Sequence, residues 1–558
     1  MANKDFVHLH THSTYSLLDG VCDTGEMAKA AANMGMQALA LSDHGNLHGS
    51  FEFYQQCEKN GVKPILGMEA YAARNSAKDP KSHANPTDHL LLLAENQEGW
   101  KNLMHLSTRG YTEGHHGTPR IDMEMLSEHS EGIIATTSCL AGGFSRGCCG
   151  EKHYDRSARE YVVSQPSLDA GMAYVNRLTD ILGKDNVFIE IQDHTDAVAA
   201  AGMDECRAAD YSELVDLQSK TWKVAVDASK KLGVGLVGSN DVHFLTEDHG
   251  NAKDTLFAIR TRQQKFDPAR SLYSTSNQFY LKSPEQMVHI FREVPEAAEN
   301  TLRIAERCNV KLDLGGNWHF PEFDVPGNAN LMQFWRHSIR KGFEKLYPEG
   351  HPHRAAALQR IKHEIEIIER LNFVSYIMIT ADFVDFARRN RIPYGPGRGS
   401  AAGSIVSYCL GITEICPIEN KLIFERFLNP DRVSFPDIDL DFCYDRIGEV
   451  YDYAQKKYGK ECVARISTFG TMWTKSIVRE TAKTYGVNLR EIDEVAKTIG
   501  EAQGSFRSSV SQELEENEAL ANFYQNDTRW KQALDDAAVL EGYKRPVGKH
   551  AAGIVIGD

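Results

Sequence analysis

Along the first 250 residues, short apolar runs alternate with amphipathic segments. The runs Phe6 to His12, Ala38 to Leu41, Pro64 to Gly67, His89 to Ala94, Gly132 to Thr137, Val187 to Ile191 and Val234 to Gly238 have the length and composition of strands. Thr24 to Met34 and Leu214 to Leu232 read as helices between them. Strand and helix in alternation predict a parallel α/β barrel or a doubly wound sheet. A Pro-, Gly- and Asn-rich stretch from Gly315 to Asn330 marks a boundary. Beyond it, Ala355 to Leu371 carries Ile361, Ile365 and Ile368 at helical spacing. A second helix is expected from about Tyr376 to Asn390, then a short strand, Ile392 to Tyr394. Residues 445–550, rich in charge and poor in proline, read as a separate helical subdomain.

The 558 residues imply about three or four domains at roughly 100–200 residues each. Apolar residues at 42% and charged residues at 25% fit a soluble globular protein. No apolar run approaches the ~20 residues of a membrane span. Met1-Ala2-Asn3-Lys4-Asp5 lacks the apolar core of a signal peptide, so a cytoplasmic location is expected. The 11 cysteines form no C-x-x-C pair and read as reduced thiols. A net charge of −15 requires any nucleic-acid contact to use local positive charge.

Candidate chemistry begins at Phe6-Val-His8-Leu-His10-Thr-His12. On a strand, alternate residues share a face, so three imidazoles would project together. Neutral imidazole is a common ligand for Zn²⁺ and related ions, and a lone core histidine would need no such company. Further donors sit at or beyond later strand ends: Asp43 and His44, Glu69, His89, Cys139, Asp241 and His243. In an α/β barrel, residues at successive strand ends converge on one mouth. His115 and His116, flanked by glycines, read as a surface loop.

The segments H-x-H-S-x-Y-S, S-D-H-G-N, G-x-E and N-D-V-H-F resemble the PHP (polymerase and histidinol phosphatase) domain that opens bacterial DNA polymerase III α subunits. The resemblance implies a ligand set of His10, His12, Asp19, His44, Glu69, His89, Cys139, Asp241 and His243. His8 falls outside it, as a neighbour. No position of the set carries a non-ligating residue. A cluster of two or three Zn²⁺ or Mn²⁺ ions is implied, able to activate water and neutralise a phosphodiester, and with it 3′→5′ exonuclease activity.

A second constellation opens with Gly395-Pro-Gly397-Arg398-Gly399-Ser400. A Gly-rich turn before a helix lets backbone N–H groups approach a phosphate, with Arg398 adding charge and Ser400 a hydroxyl. No Gly-Lys-Ser/Thr follows, so it is not a Walker A loop. Then comes Pro436-Asp437-Ile-Asp439-Leu-Asp441-Phe442, where strand alternation would set three carboxylates on one face. Such carboxylates repel one another unless a cation sits among them. Two Mg²⁺ ions bridged by aspartates serve nucleotidyl transfer. A calcium loop is disfavoured by the missing turn glycine and terminal glutamate.

Together G-P-G-R-G-S, F-E-R-F-L-N-P and P-D-I-D-L-D-F resemble the palm of the C-family replicative polymerases, the bacterial DNA polymerase III α subunits. On that resemblance Asp437 and Asp439 are the catalytic, Mg²⁺-holding carboxylates and Asp441 supports them. Arg398, Gly399 and Ser400 contact the nucleotide phosphates, with Arg426 and Arg432 as further candidates. The run Thr468 to Arg479 matches the family's thumb, where Lys475, Arg479 and Lys483 share a helical face suited to primer–template phosphates or to solvent. Gly548 to Gly553 matches the return to the palm. The implied fold is α/β multidomain: a PHP distorted α/β barrel at 1–285, an α+β nucleotidyltransferase-like palm at 286–468, a helical thumb at 469–547 and a palm return at 548–558, with fingers largely absent.

Family proteins are roughly twice as long, and their third catalytic aspartate lies past the segment matching Gly553 to Asp558. The expectation is a shortened polypeptide or one half of a split polymerase, completed by a second polypeptide. Primer–template DNA and deoxynucleoside triphosphates are the implied substrates. The sliding clamp and other replisome subunits would bind through the absent region, and no membrane partner is implied. A stand-alone phosphoesterase and a catalytically silent DNA- or partner-binding fragment are the competing readings.

Overall fold

The computed structural model describes residues 5–82, 85–150, 152–155, 160–163, 165–195, 205–267, 276–314, 321, 323–328, 330–429, 436–500 and 508–557. The chain forms two compact units, Met1–Leu314 with Phe469–Val547, and Gly315–Thr468 with Gly548–Asp558.

The first unit is built on a seven-stranded sheet of β1 (Ala38–Leu41), β2 (Lys63–Ala73), β3 (Thr87–Ala94), β4 (Arg120–Ile121), β5 (Ile133–Thr136), β6 (Val187–Gln192) and β7 (Gly235–Ser239). Its order is β1-β2-β3-β5-β6-β7, with β4 on β2. The sheet is mixed, where a parallel α/β barrel or a doubly wound sheet was expected: β3 runs antiparallel to both β2 and β5. The short connection 74–86 carries no helix among its described residues, and a strand that returns without a crossover helix pairs antiparallel. The strands read as continuous apolar runs because both faces are covered. Leu39, Leu66, Leu90 and Ile189 enter one core, while Ala40, Ile65, Leu91 and Val237 enter another.

Phe6 to His12 is not a ladder strand but an extended segment that bridges the two ends of the sheet. Toward β1, Ala40 N–H donates to the His8 carbonyl and Ser42 N–H to that of Thr11, both at 2.9 Å. Beyond β7, His12 N–H reaches the Val242 carbonyl at 2.8 Å and Val242 N–H that of His10 at 3.1 Å.

The helix Pro295–Arg307 buries Ala297, Ala298 and Ile304 in the same two cores, so residues 286–314, expected to open the palm, lie with the sheet. The helices Thr474–Thr484, Leu489–Thr498, Val510–Glu516, Glu518–Asn526 and Thr528–Leu540 fall in the segment expected to be a separate helical subdomain, but they are not a separate body. Ile477, Val478, Trp530 and Leu534 share a core with Phe244 and Leu256 on or beside the helix Gly250–Thr261. A buried polar knot reinforces the join. The Lys265 ammonium donates to Tyr485 Oη at 2.8 Å and lies 3.3 Å from the Asp536 carboxylate, which also accepts from Tyr485 at 2.6 Å. Removing one partner of a buried ion pair leaves the other uncompensated. Asp536→Ala is therefore expected to destabilise this unit by about 3 kcal/mol, read as a lower urea midpoint at unchanged slope.

In the second unit the helices Leu331–Leu346, Arg354–Arg370, Val374–Arg389, Ile405–Cys409 and Ile447–Tyr458 surround a core that includes Trp335, Ile361, Ile368, Ile377, Phe424 and Val450. The strands expected at Ile392 to Tyr394 and around Asp437 to Asp441 are not formed. One bridge, Tyr394 to Phe442, joins two extended segments, with Gly395 N–H donating to Asp441 O and Cys443 N–H to Pro393 O, each at 2.8 Å. Pro393 and Pro396 lack the N–H that a continued ladder requires. Val463–Thr471 and Lys544–Ile556 form a two-stranded sheet. Among the described residues, no helix is long and apolar enough to cross a membrane, and the described cysteines are free thiols.

Candidate metal centre and nucleotide site

The bridging segment, the loop after β1, β2, β3 and the loops after β5 and β7 deliver their polar side chains to one place. Glu69 on β2 is its hub. Its carboxylate lies 3.2 Å from His10 Nε2, 3.5 Å from His12 Nε2, 2.7 Å from His44 Nδ1 and 3.0 Å from His89 Nδ1. Asp241 Oδ1 sits 3.2 Å from both His10 Nε2 and His12 Nε2, and 3.5 Å from His243 Nδ1. Cys139 Sγ is 3.8 Å from Glu69 and 3.7 Å from His89. Asp19 lies 3.3 Å from His44 Nε2 and 4.0 Å from His243 Nε2. All nine residues of the expected ligand set therefore meet. His8 does not join them, since its Nε2 faces the Lys282 carbonyl at 2.9 Å.

The fit to metal ions rests on buried atoms that crowd one another without making hydrogen bonds. His10 Nε2, His12 Nε2, His44 Nδ1, Glu69 Oε2 and Asp241 Oδ1 are buried without a hydrogen-bond partner. Leaving such atoms unsatisfied is costly, and five together call for a shared ligand. Three triads, His12/His44/His243, His10/His12/Glu69 and His44/Glu69/His89, each hold their donor atoms within 4.8 Å. Asp241 and Ser138 sit in the left-handed backbone region, at φ 46° and 60°, strain of the kind that collects at functional sites.

Electrostatics separate the imidazoles. Burial works to lower His10, but Asp241, Glu190 and Glu69 outweigh it and hold the ring well above its ordinary value. His12 is driven well below by burial and then by His44 and His243. Burial raises the Cys139 thiol well above its ordinary value, and Glu69 adds to that.

Sequence reading missed the residues that orient the ligands. Glu190 on β6 is buried and takes His10 Nδ1 at 2.8 Å, leaving Nε2 free for a metal. It also accepts from Gln192 at 2.9 Å and from Thr136 and Ser239. A lone carboxylate inside the apolar strand Val187-Phe-Ile-Glu-Ile was the available signal. Asp43, noted as a donor beside His44, instead binds Ser13 and Ser16, and Ser16 Oγ meets His12 Nδ1 at 2.9 Å. Lys253 and Arg260 Nη1, the latter at 2.7 Å, both contact Asp19. Carboxylates that fix a histidine ligand's tautomer typically govern affinity by 10- to 100-fold. Glu190→Gln is expected to weaken metal binding by about that factor, measured by titration calorimetry.

In the second unit, Arg398 lies 3.4 Å from Asp439 and 3.1 Å from Asp441. Asp437 is exposed on the same extended segment. Gly399 and Ser400 open a 3₁₀ turn, Gly399–Gly403. Gly399 has φ 70°, a backbone conformation that calls for glycine, and a Cβ there would stand 3.0 Å from Asp439 Oδ2. The turn is anchored by Glu364, another residue sequence reading missed. Buried on the helix Arg354–Arg370, it accepts from Ser404 Oγ at 2.8 Å and from the Ile405 and Val406 N–H groups at 3.1 Å, while Arg360 pairs with it at 2.8 Å. Tyr376 lies against the aspartate segment. Burial, with Asp437 and Asp439, pushes its hydroxyl up to about 12 although its contact with the Ile438 backbone works the other way. Arg426 is exposed in a 3₁₀ turn, and Arg432 lies outside the described residues.

The cationic stripe on the helix Thr474–Thr484 is partly paired: Arg479 meets Asp493 at 2.6 Å and Lys483 meets Glu480 at 3.2 Å. Lys475 is half-buried on the same helix.

Comparison with known proteins gives matches across both units. The PHP domain family matches residues 8–194, and the family described as bacterial DNA polymerase III alpha NTPase domain matches residues 333–558. The chain is 37% identical to DNA polymerase III subunit alpha of Treponema pallidum, covering 100% of this chain and 44% of that protein. Against the proteins of the same name from Campylobacter jejuni and Aquifex aeolicus, identity is 36% and 34%, over 100% and 99% of this chain and 45% and 48% of theirs. The chain thus spans about half the length of the curated relatives it matches.

Proposed function

Because this chain belongs to the bacterial DNA polymerase III alpha family, we propose that it forms the part of a replicative DNA polymerase that carries a metal-dependent 3′→5′ exonuclease site and a portion of the polymerase palm. The observation that carries the exonuclease is the set of five buried, unpartnered donor atoms around Glu69 and Asp241. Zn²⁺ or Mn²⁺ ions held by His10, His12, Asp19, His44, Glu69, His89, Cys139, Asp241 and His243 would supply a water made nucleophilic near neutral pH and charge to offset the phosphodiester. The chain's own part is positioning. Glu190 fixes the His10 tautomer, the Asp43–Ser16 pair fixes that of His12, and Lys253 with Arg260 holds Asp19.

Residues 315–468 with 548–558 are assigned to the palm and 469–547 to the thumb. Asp437 and Asp439 are the carboxylates for Mg²⁺, with Asp441 beside them. Arg398, bridged between Asp439 and Asp441, is the cation for which an incoming deoxynucleoside triphosphate competes, and Gly399 and Ser400 offer the turn beside it. Among the described residues Lys475 has no acidic partner, whereas Arg479 and Lys483 must exchange carboxylates for primer–template phosphates. Polymerisation is assigned to the full length of the family protein, with its third aspartate and clamp contacts.

Elemental analysis of the purified chain tests the metal reading. Two or three equivalents of Zn²⁺ or Mn²⁺, removed by chelation with loss of phosphodiester hydrolysis, are expected; a chain that takes up no metal would overturn it.

A further inference from the structure

A cavity of about 210 Å³ adjoins the metal centre. Asp19, His44, His89, Asp241 and His243 line part of it, but much of the remaining wall is apolar: Leu140, Leu214, Phe244, Phe257 and Phe279. Ion ligation does not explain that wall. Its geometry follows from two helices. Lys253 and Phe257 lie four residues apart on Gly250–Thr261, hence on one face, so the residue that contacts Asp19 also places an aromatic ring one turn farther along. Leu214 and Gln218 share a face of Glu205–Leu232 in the same way, and Gln218 holds His194, whose ring stacks on Phe279 at 3.9 Å. Phe279 in turn meets His243 edge-on at 5.9 Å. Aromatic and aliphatic walls beside a phosphodiester-cleaving centre suit a nucleobase, because every base offers a π-face whatever its sequence.

We propose that this cavity is a subsite for the base of the 3′-terminal nucleotide, an inference that rests on the hydrolytic reading of the metal centre. A cavity of about 210 Å³ is of the size for a single base rather than a base pair, and a terminal nucleotide that uses it must first leave the stack. That step costs least for a mismatched or single-stranded end, which gives the site a preference for unpaired termini without reading sequence.

The test is equilibrium binding of a short single-stranded oligodeoxynucleotide to the full chain, followed by fluorescence anisotropy without added metal. One oligonucleotide carries a normal 3′-terminal base and the other an abasic 3′ residue. The wild-type chain is expected to bind the abasic form about 10-fold or more weakly. Phe257→Ala, and independently Leu214→Ala on the facing helix, should shrink that difference to near unity. Equal affinity of the wild type for the two oligonucleotides would overturn the subsite, even if the chain hydrolyses both. Base-dependent binding without hydrolysis under Mn²⁺ or Zn²⁺ would support the subsite while sinking the exonuclease reading. A base preference that survives both substitutions would place the base elsewhere and also overturn the proposal.

Discussion

Glu69→Ala is expected to empty the metal centre and to lower 3′-end hydrolysis by at least about 10³-fold, since ligated ions contribute several kcal/mol to such a transition state. The size of the effect follows from position. Four imidazoles converge on this carboxylate within 3.5 Å, and Cys139 lies beside it. Peripheral ligands such as Asp19, already engaged by Lys253 and Arg260, should matter less. Metal content by elemental analysis and the hydrolysis rate should fall together in the Glu69 variant. If metal content stays at the wild-type level, Glu69 is not the hub.

Asp439→Ala is expected to lower nucleotide incorporation by the complete polymerase by about 10³-fold while leaving 3′-end hydrolysis intact. Asp439 stands beside both Arg398 and the Gly399 turn, so it touches the cation and the turn expected to contact the triphosphate. Single-turnover extension of a matched primer measures the first effect, and shortening of a mismatched primer measures the second. Unchanged extension would remove the palm assignment from this segment. Parallel loss of both activities would mean that the two sites are not independent.

Much of the fold was legible in the sequence because its strands are short apolar blocks with both faces buried, as in Ala38–Leu41 and Val187–Gln192. Strand direction was less legible. Antiparallel pairing of β3 depends on a helix-free connection, and strand composition does not report it. The histidine pattern pointed to metal although the strand invoked for it is absent. An extended segment alternates its side chains as a strand does, and its backbone bonds to both ends of the sheet keep it extended. The aspartate run fared similarly: Asp437, Asp439 and Asp441 lie on an extended segment, but prolines confine its pairing to one bridge. The supporting residues were hidden. Glu190 and Glu364 are single carboxylates whose roles run through partners 180 and 40 or more residues away. The attachment of the helices between Thr474 and Leu540 to the sheet domain was equally hidden, since Lys265 and Asp536 pair across 271 residues.

This chain alone is expected to hold a working hydrolytic site, independent of polymerisation. Its most direct measurement is incubation of the purified chain with Mn²⁺ or Zn²⁺ and a primer–template bearing a mismatched 3′ end, with products resolved at single-nucleotide length. Stepwise shortening from the mismatched 3′ end, abolished by chelation and by Glu69→Ala, is the predicted result. An intact primer from a chain that has bound its metal would contradict the claim and reduce the metal centre to a structural one.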